Sequence, residues 1–225
     1  MQRIVARELM DDPVESLAEL EGNLRDIAFA NAVFNGARPV LRAVRASGAT
    51  SVLDVGSGLA DIPLALVRDA RRRGTEMRVT CLDHSEQMLA LARKATRDDP
   101  WLDFVHGQGE ALPYPDDAFD VAMCNLALHH FEPPAAERLL RELRRVSKVT
   151  PVMCDLYRSR LAYLASRLWT TVATRNRLTR HDGPLSVRRS YTPLEAVALA
   201  CSAGWNAPLL ETSAFFRMTL TDAPR

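Results

Sequence analysis

The chain has 225 residues, of which 47% are hydrophobic and 25% are charged, and its formal net charge is +1. This length and composition predict one globular domain and argue against global disorder. The near-neutral charge balance argues against a general nucleic-acid-binding protein, so we expect a small-molecule substrate and no nucleic-acid partner.

The first two thirds of the chain alternate between strand and helix patterns. Helical spacing over residues 14–46 predicts two or three short helices ahead of the core. We then predict strands over residues 51–55, 77–83, 101–107, 119–128 and 150–156, with helices over 61–73, 85–96 and 134–146. Asp61 and Ser85 are the predicted N-caps of the first two of these helices. Such alternation predicts an α/β fold with a doubly wound, mostly parallel sheet covered on both faces.

The pattern changes after residue 156. A helical stripe begins at Tyr157, residues 179–191 read as a loop, and Thr192 can cap a last helix over 193–203 before a final strand within 211–221. We therefore divide the single predicted domain into four regions. They are a helical lead-in (1–48), a ligand-binding core (49–156), a cap insertion (157–191) and a final helix and strand (192–225).

The four cysteines, at 81, 124, 154 and 201, form no CxxC pair. We predict buried, reduced thiols and no metal site. The N-terminus has no apolar signal-peptide core, and no apolar run reaches the length of a membrane span. These features predict a cytoplasmic protein without a transmembrane segment, and they leave its oligomeric state open.

The stretch SVLDVGSGLADIPLAL (51–66) passes from a strand through two glycines into an apolar helix. Gly56 and Gly58 allow a ligand to approach the backbone closely, and the helix N-terminus favours a carboxylate or phosphate. A nicotinamide dinucleotide site needs G-x-G-x-x-G, but Asp61 takes the third glycine position and would repel a pyrophosphate. Asp83 ends the next predicted strand, where an acid accepts hydrogen bonds from ribose hydroxyls. The pattern predicts a nucleoside with an anionic group and no pyrophosphate.

Three segments carry a resemblance to a known family. VLDVGSGLA (52–60) resembles the first motif of the class I S-adenosylmethionine-dependent methyltransferases, and LDHSEQM (82–88) resembles their second. GQGEALPYPDDAFDVAMCNLALHHF (107–131) resembles the third and fourth motifs. The resemblance covers roughly residues 50–155 and points to small-molecule methyltransferases of quinone, phenolic and polyketide metabolism. It implies S-adenosylmethionine as cofactor and a Rossmann-like, seven-stranded sheet.

The resemblance also implies which residues bind the cofactor. Asp83 takes the ribose-binding position, and His84 and Met88 lie beside the adenine. Gln108 stands where the family commonly has an acid that reaches the adenine amino group, and its side-chain carbonyl can still accept from that amine. Asn125 takes a position that contacts the methionine part. The candidate cofactor-binding residues are Asp54, Gly56, Ser57, Gly58, Asp83, His84, Met88, Gln108, Gly109, Glu110, Asn125, Asn31 and Arg38.

Three of these candidates also have structural interpretations. Asp54 can orient the glycine turn or the cofactor ammonium, or it can simply accept backbone N–H groups. Asn31 and Arg38, from the lead-in, can close over the cofactor carboxylate, Arg38 through charge-assisted hydrogen bonds. The alternative for Arg38 is a solvated side chain.

The candidate catalytic residues are histidines. His129 and His130 end the fourth predicted strand, near the position of the transferred methyl group, and are either architectural or include a base. His181 precedes Asp182, a neighbour that can tune an imidazole for proton removal. The alternative for His181 is a surface loop position.

The cap insertion is the predicted substrate-binding region, because it lies over the carboxyl edge of the sheet, where ligands bind. Its candidate substrate-binding residues are Tyr157, Arg158, Asp182 and Arg188. Arginines outnumber acids between residues 158 and 189, which fits an acidic substrate, an anionic membrane surface or a solvated face.

These features predict a methyltransferase of secondary metabolism that methylates an aromatic or polyketide-like hydroxyl by in-line SN2 transfer. The protein has to align the nucleophile with the S–CH₃ bond and exclude water. A phenol, with a pKa near 10 like that of tyrosine, would benefit from a base. The alternatives are C-methylation of a quinol ring, a non-catalytic S-adenosylmethionine-binding partner subunit and, disfavoured by Asp61, an NAD-dependent oxidoreductase.

Overall fold

The computed structural model describes residues 1–11 and 16–223. A 3₁₀ turn, Leu9–Asp11, precedes the regular elements. The helices are α1 (Leu17–Val33), α2 (Ala37–Ser47), α3 (Asp61–Arg73), α4 (Glu86–Thr96), α5 (Pro133–Val146), α6 (Arg160–Ala173), α7 (Arg177–Arg189) and α8 (Pro193–Ser202). The strands are β1 (Ser51–Val55), β2 (Arg78–Asp83), β3 (Leu102–His106), β4 (Phe119–Asn125), β5 (Ser147–Leu156), β6 (Leu209–Thr212) and β7 (Arg217–Thr221).

The strands described form one seven-stranded sheet in the order β3-β2-β1-β4-β5-β7-β6. β1 to β5 pair in parallel, whereas β7 is antiparallel to both β5 and β6. The strand order reverses between β1 and β4, and ligands bind outside the carboxyl ends of the strands at such a point. The predicted fold class, a Rossmann-like and mostly parallel sheet of seven strands, is confirmed.

Neighbouring residues of the buried strands face two separate cores. Leu53 packs with residues of α5 and α8 on one face of the sheet, whereas Val52 packs with residues of α2 and α3 on the other. This alternation with a period of two follows from the pleat of a strand that is buried on both faces. In the described part of the chain, no helix is both long and apolar enough to cross a bilayer.

The segment predicted as a loop at 179–191 lies mostly within helix α7, so that prediction is wrong. Gly183 and Pro184 are poor helix formers, which explains the error. Asn176 caps the helix by accepting the N–H of Thr179 (3.2 Å). Gly183 lets α7 approach α6 closely, because a Cβ there would lie 2.7 Å from Cγ2 of Thr170. Tertiary packing therefore outweighs the local propensity.

The single final strand predicted within 211–221 is instead a hairpin of β6 and β7. Ser213 and Arg217 close its turn with an N–H to carbonyl bond of 2.8 Å, and Phe216 adopts a left-handed φ of 57°. The turn lacks glycine, proline and asparagine, and Ser213 is its one typical turn residue, so the local signal is weak. The thiol prediction is confirmed for three buried cysteines and is wrong for Cys201, which is exposed.

Gly183→Ala tests whether close packing between α6 and α7 sustains this helix. Alanine stabilises an open helical position by roughly 0.5–1 kcal/mol relative to glycine. Here we expect a loss of about 1–3 kcal/mol in the free energy of unfolding, because the new Cβ overlaps Thr170. Thr170→Ser removes the opposing methyl group, so the double variant should lose less than the sum of the single variants. Strictly additive losses in chemical denaturation would contradict this packing.

Candidate functional site

The glycine turn after β1 is fastened to the end of β2. The N–H of Gly56 donates to the carbonyl of Leu82 (2.8 Å), and the N–H of Gly58 donates to Oδ2 of Asp83 (3.0 Å). The other carboxylate oxygen of Asp83 accepts the N–H of Ser85 (3.0 Å). Gly56 has a φ of 74°, and a Cβ there would lie 2.8 Å from the side chain of Ala127. Glycine is therefore required at position 56.

A cavity of about 430 Å³ opens at the carboxyl ends of β1, β2 and β4. All the predicted cofactor-binding residues except Arg38 line it. The side chain of Arg38 is exposed and lies outside the lining. Asn31 is in the wall, where its amide donates to Asp61 (2.8 Å) and accepts from Arg217 (2.6 Å). The structure thus brings the matched motifs together and leaves Arg38 apart.

Three buried polar atoms in this wall have no partner in the described part of the chain: Oδ1 of Asp54, Oγ of Ser57 and Oδ1 of Asn125. Burial raises the pKa of Asp54 well above its usual range, and the charges of Asp61 and Asp83 raise it further. An unpartnered buried polar atom is costly. The wall therefore suits a ligand with hydrogen-bonding groups and positive charge.

The prediction that Asp61 is the N-cap of α3 is wrong by one residue. Ala60, in a left-handed conformation, takes the N-cap position, and Asp61 is the first helical residue. The Asp61 carboxylate interacts with the backbone N–H groups of Asp61 and Ile62 and accepts from Asn31. A carboxyl group of the protein already occupies the N–H groups of this helix end, which disfavours a pyrophosphate there.

A second cavity, of about 290 Å³, meets the first. The two share four lining residues: Met10, Ile27, Leu126 and His130. Leu126 has a left-handed φ of 53°, which is unfavourable for leucine, and its N–H donates to the carbonyl of Cys154 (2.8 Å). The aromatic part of the wall is Phe34, Trp169, Phe215 and Phe216, from α6 and the segments that follow α1 and β6.

Titratable side chains cluster where the cavities meet. Nδ1 of His130 lies 3.0 Å from Oδ1 of Asp11, and its Nε2 lies 3.8 Å from Oε2 of Glu8. Burial raises the pKa of Glu8 to about 7 against the opposing charges of His130 and Arg189. Burial would also raise the pKa of Asp11, but hydrogen bonds and charges from His130 and Arg189 hold it well below its usual range.

His129 is buried behind this cluster. Its Nδ1 lies 2.8 Å from Oδ1 of Asp155, and its backbone N–H donates to the other carboxylate oxygen (2.9 Å). These bonds fix the ring, which fits the architectural interpretation of His129. Ligand atoms of Glu8, His129 and His130 lie within 4.8 Å of one another, a spacing that suits a metal ion. However, the Arg189 guanidinium lies 3.4 Å from Glu8 and already balances its charge.

None of the predicted substrate-binding residues lines either cavity, and neither does His181. The imidazole of His181 is half exposed, and its Nδ1 lies 2.7 Å from Oδ1 of Asp182. Arg188 is exposed. Tyr157 packs edge-to-face on Phe216, with ring centroids 6.0 Å apart. The structure therefore separates these side chains from the cluster at His130.

The other two predicted substrate-binding residues are buried in structural contacts. Arg158 forms two hydrogen bonds to the carboxylate of Glu195 (2.6 and 2.7 Å). Asp182 accepts the N–H groups of Leu9 (2.8 Å) and Met10 (3.1 Å) and so holds the N-terminal segment on α7. The predicted catalytic residues His129 and His130 line the second cavity. Its other lining residues were not predicted from the sequence, and Glu8, Trp169 and Arg217 matter most among them below.

Residues 52–150 match the sequence profile of a methyltransferase domain. The ubiquinone/menaquinone biosynthesis C-methyltransferase of Rickettsia akari is 38% identical over 100 residues, which cover 43% of this chain and 40% of that protein. The chain thus matches less than half the length of this curated relative.

Two solved structures show the same fold. Human N-acetylserotonin methyltransferase in complex with S-adenosylmethionine has a TM-score of 0.72 at 17% identity, covering 98% of this chain and 60% of that one. Magnesium protoporphyrin IX methyltransferase from Synechocystis, with bound S-adenosylhomocysteine, has a TM-score of 0.60 at 14% identity, covering 85% and 82%. Residues 52–150 are thus similar to a methyltransferase domain, and the chain shares the fold of these two S-adenosylmethionine- and S-adenosylhomocysteine-bound methyltransferases.

Proposed function

We propose that this protein transfers a methyl group from S-adenosylmethionine, bound in the larger cavity, to a hydroxyl oxygen of an aromatic or polyketide-like acceptor in the smaller one. The observation that carries this proposal is the junction of the two cavities at Met10, Ile27, Leu126 and His130. A nucleophile can reach a bound methyl group only where two such cavities meet.

The larger cavity fits the cofactor in charge and in hydrogen bonding. S-adenosylmethionine supplies an activated methyl group on a sulfonium and also carries an ammonium group. Asp54, Asp61 and Asp83 line this cavity, and a bound cation would favour the ionised form of Asp54, whose pKa is raised by burial and by the neighbouring carboxylates. Each oxygen of the Asp83 carboxylate accepts one N–H group and keeps a lone pair for a ribose hydroxyl. The same three carboxylates disfavour the pyrophosphate of NAD.

The smaller cavity favours an acceptor with a flat apolar body and few oxygen atoms. Phe34, Trp169 and Phe215 supply aromatic wall, with Phe34 and Trp169 edge-to-face at 4.7 Å. Arg217 is buried in the wall, and its Nη1 has no partner among the described residues. We assign this donor to an acceptor oxygen, because an unpaired buried guanidinium nitrogen is costly.

Glu8 and His130 form the pair that takes the hydroxyl proton. Both line the smaller cavity, and Asp11, whose Oδ1 lies 3.0 Å from Nδ1 of His130, orients the His130 ring. A group that titrates near neutral pH is the most effective general base, and burial brings the pKa of Glu8 to about 7. Nε2 of His130 lies 3.8 Å from Oε2 of Glu8, so both side chains can face the same acceptor hydroxyl.

C-methylation is the second candidate, and the Rickettsia relative, named a C-methyltransferase, favours it. A quinol ring would fit the same aromatic wall, and its hydroxyl proton could leave to the same Glu8–His130 pair. The two reactions therefore differ in which acceptor atom faces the junction. A non-catalytic cofactor-binding subunit would keep the larger cavity without turnover.

Asp83→Asn tests the cofactor assignment. We expect the variant to bind S-adenosylmethionine and S-adenosylhomocysteine roughly 10–100-fold more weakly, because it loses a charged acceptor for ribose hydroxyls and for Gly58. Isothermal titration calorimetry gives the affinities. Asp103→Asn is the matched control, since Asp103 is exposed and outside both cavities. Unchanged binding by Asp83→Asn, or tighter binding of NAD⁺ than of the sulfur nucleosides, would overturn the assignment.

An acceptor screen with S-adenosylmethionine carrying a ¹³C-labelled methyl group tests the reaction itself. We expect transfer to phenolic or enolic hydroxyls on apolar molecules, because the wall of the acceptor cavity is largely aromatic. NMR of the product locates the label. Label on a ring carbon would replace O-methylation with C-methylation, and cofactor binding without transfer to any acceptor class would favour the non-catalytic subunit.

Substitution of the Glu8–His130 pair tests the proton step. We expect Glu8→Gln and His130→Gln each to lower kcat by roughly 10²–10⁴-fold with a phenolic acceptor. Glu8 is ionised above its raised pKa, so the wild-type rate should rise as the pH increases through about 7, and Glu8→Gln should flatten that rise. His181→Gln, at a half-exposed histidine outside both cavities, serves as the control. A wild-type kcat in both Glu8→Gln and His130→Gln would refute the role of this pair as the general base.

A further inference from the structure

The outer face of α6 exposes a continuous row of aliphatic side chains. Leu161, Leu164, Leu168 and Val172 are between 59% and 78% exposed. At about 100° per residue they span an arc of roughly 80° on the helix. We name these four residues the α6 stripe. A contiguous exposed apolar patch of this kind marks an interaction surface.

The apolar surface continues from the stripe into the acceptor cavity. Trp169 follows Leu168 in the sequence and lines the cavity. The ring of Phe29, itself 55% exposed, stacks on Trp169 at 6.1 Å. Phe34 lies between Trp169 and the half-exposed Phe215, with ring centroids 4.7 and 5.3 Å away. An apolar molecule could therefore pass from the exposed face to the cavity along aromatic side chains.

Positive charge flanks the stripe on one side. Arg160 and Arg167 are exposed, lie on the same helix about 40–60° from the stripe, and make no ion pair within residues 1–11 and 16–223. The α6 sequence, RLAYLASRLWTTVA, contains no acidic residue. Arg175, just beyond the helix, is also exposed. A helix with an apolar stripe and cationic flank is typical of segments that lie in a lipid interface.

We propose that the α6 stripe rests on an anionic lipid surface, with Arg160 and Arg167 contacting the lipid phosphates. Negative headgroups complement this charge, and the aliphatic side chains reach the acyl boundary. A second copy of the chain fits less well. A two-fold contact through this face would bring together two helices that have arginines and no acids.

This placement turns the acceptor cavity toward the lipid. An acceptor dissolved in the bilayer would enter past Phe29 and Trp169 without crossing water. This consequence for the acceptor rests on the function proposed above, whereas lipid binding itself requires no methyl transfer.

Vesicle sedimentation with the full chain tests the proposal. We expect binding to vesicles of phosphatidylcholine mixed with phosphatidylglycerol, weaker binding to phosphatidylcholine alone, and weaker binding at high salt. Leu164→Gln with Leu168→Gln should lower the vesicle affinity roughly tenfold or more. Arg160→Gln with Arg167→Gln should lower binding to the anionic vesicles selectively.

Matched controls come from other helices. Leu194→Gln changes an 81% exposed leucine on α8, and Arg138→Gln changes an exposed arginine on α5, so neither should affect sedimentation. Protein that stays in the supernatant with anionic vesicles overturns the proposal. A dimer in sedimentation velocity that the Leu164/Leu168 variant dissociates would assign the face to a second copy and likewise overturn it.

The assay separates this proposal from the proposed function. Vesicle binding with no transfer to any acceptor would support the lipid surface and refute the methyl transfer. Transfer to a water-soluble phenol without vesicle binding would support the methyl transfer and refute the lipid surface.

Discussion

The buried carboxylate of Asp182 is the contact on which the acceptor side of the site depends. It accepts two consecutive backbone N–H groups, those of Leu9 and Met10, and so attaches the N-terminal segment to α7. That attachment places Glu8 beside the histidines of the β4 edge and puts Met10 between the two cavities. Because Asp182 is itself buried, loss of either N–H group would leave a buried carboxylate oxygen with one partner fewer, so the segment and the helix stabilise one another.

The two cavities achieve different chemistry with different parts of the fold. The cofactor cavity lies at the ends of parallel strands, where short turns hold backbone N–H groups and carboxylates in fixed positions. The acceptor cavity lies among helix side chains and a hairpin turn, where aromatic rings set the shape. The cofactor cavity therefore selects its ligand by charge and hydrogen bonding, and the acceptor cavity selects its ligand by shape. His130 belongs to both, which is why the proton step is assigned there.

The residues of the cofactor cavity could be predicted from the sequence because they lie in short, recognisable motifs. Gly56, Gly58 and Asp83 act through a turn and a strand end that are recognisable in short windows. Glu8 and Arg217 could not be predicted in this way, since they act through partners far along the chain: Ser186 bonds to Glu8, and Asn31 to Arg217. No periodicity or motif encodes such pairs.

Predictions from short sequence windows were also wrong where tertiary packing opposed the local secondary-structure propensity. Gly183 and Pro184 made the end of the cap region read as a loop, yet glycine at 183 is what permits the close helix contact. Asp182 and Arg158 drew attention as charges near a predicted pocket, but both proved to satisfy backbone and carboxylate partners. A charged residue near a predicted pocket can stabilise the surrounding fold and make no contact with the ligand.

The contact between Arg217 and Asn31 spans 186 residues. A contact of such separation closes a long loop, which costs conformational entropy. During synthesis, the strands and turns around Asp54, Asp83 and Asn125 are complete long before Arg217 exists. Most of the wall of the cofactor cavity can therefore form before β7 is synthesised. The acceptor cavity is lined by Phe215, Phe216 and Arg217, so its wall is incomplete until β7 has been synthesised.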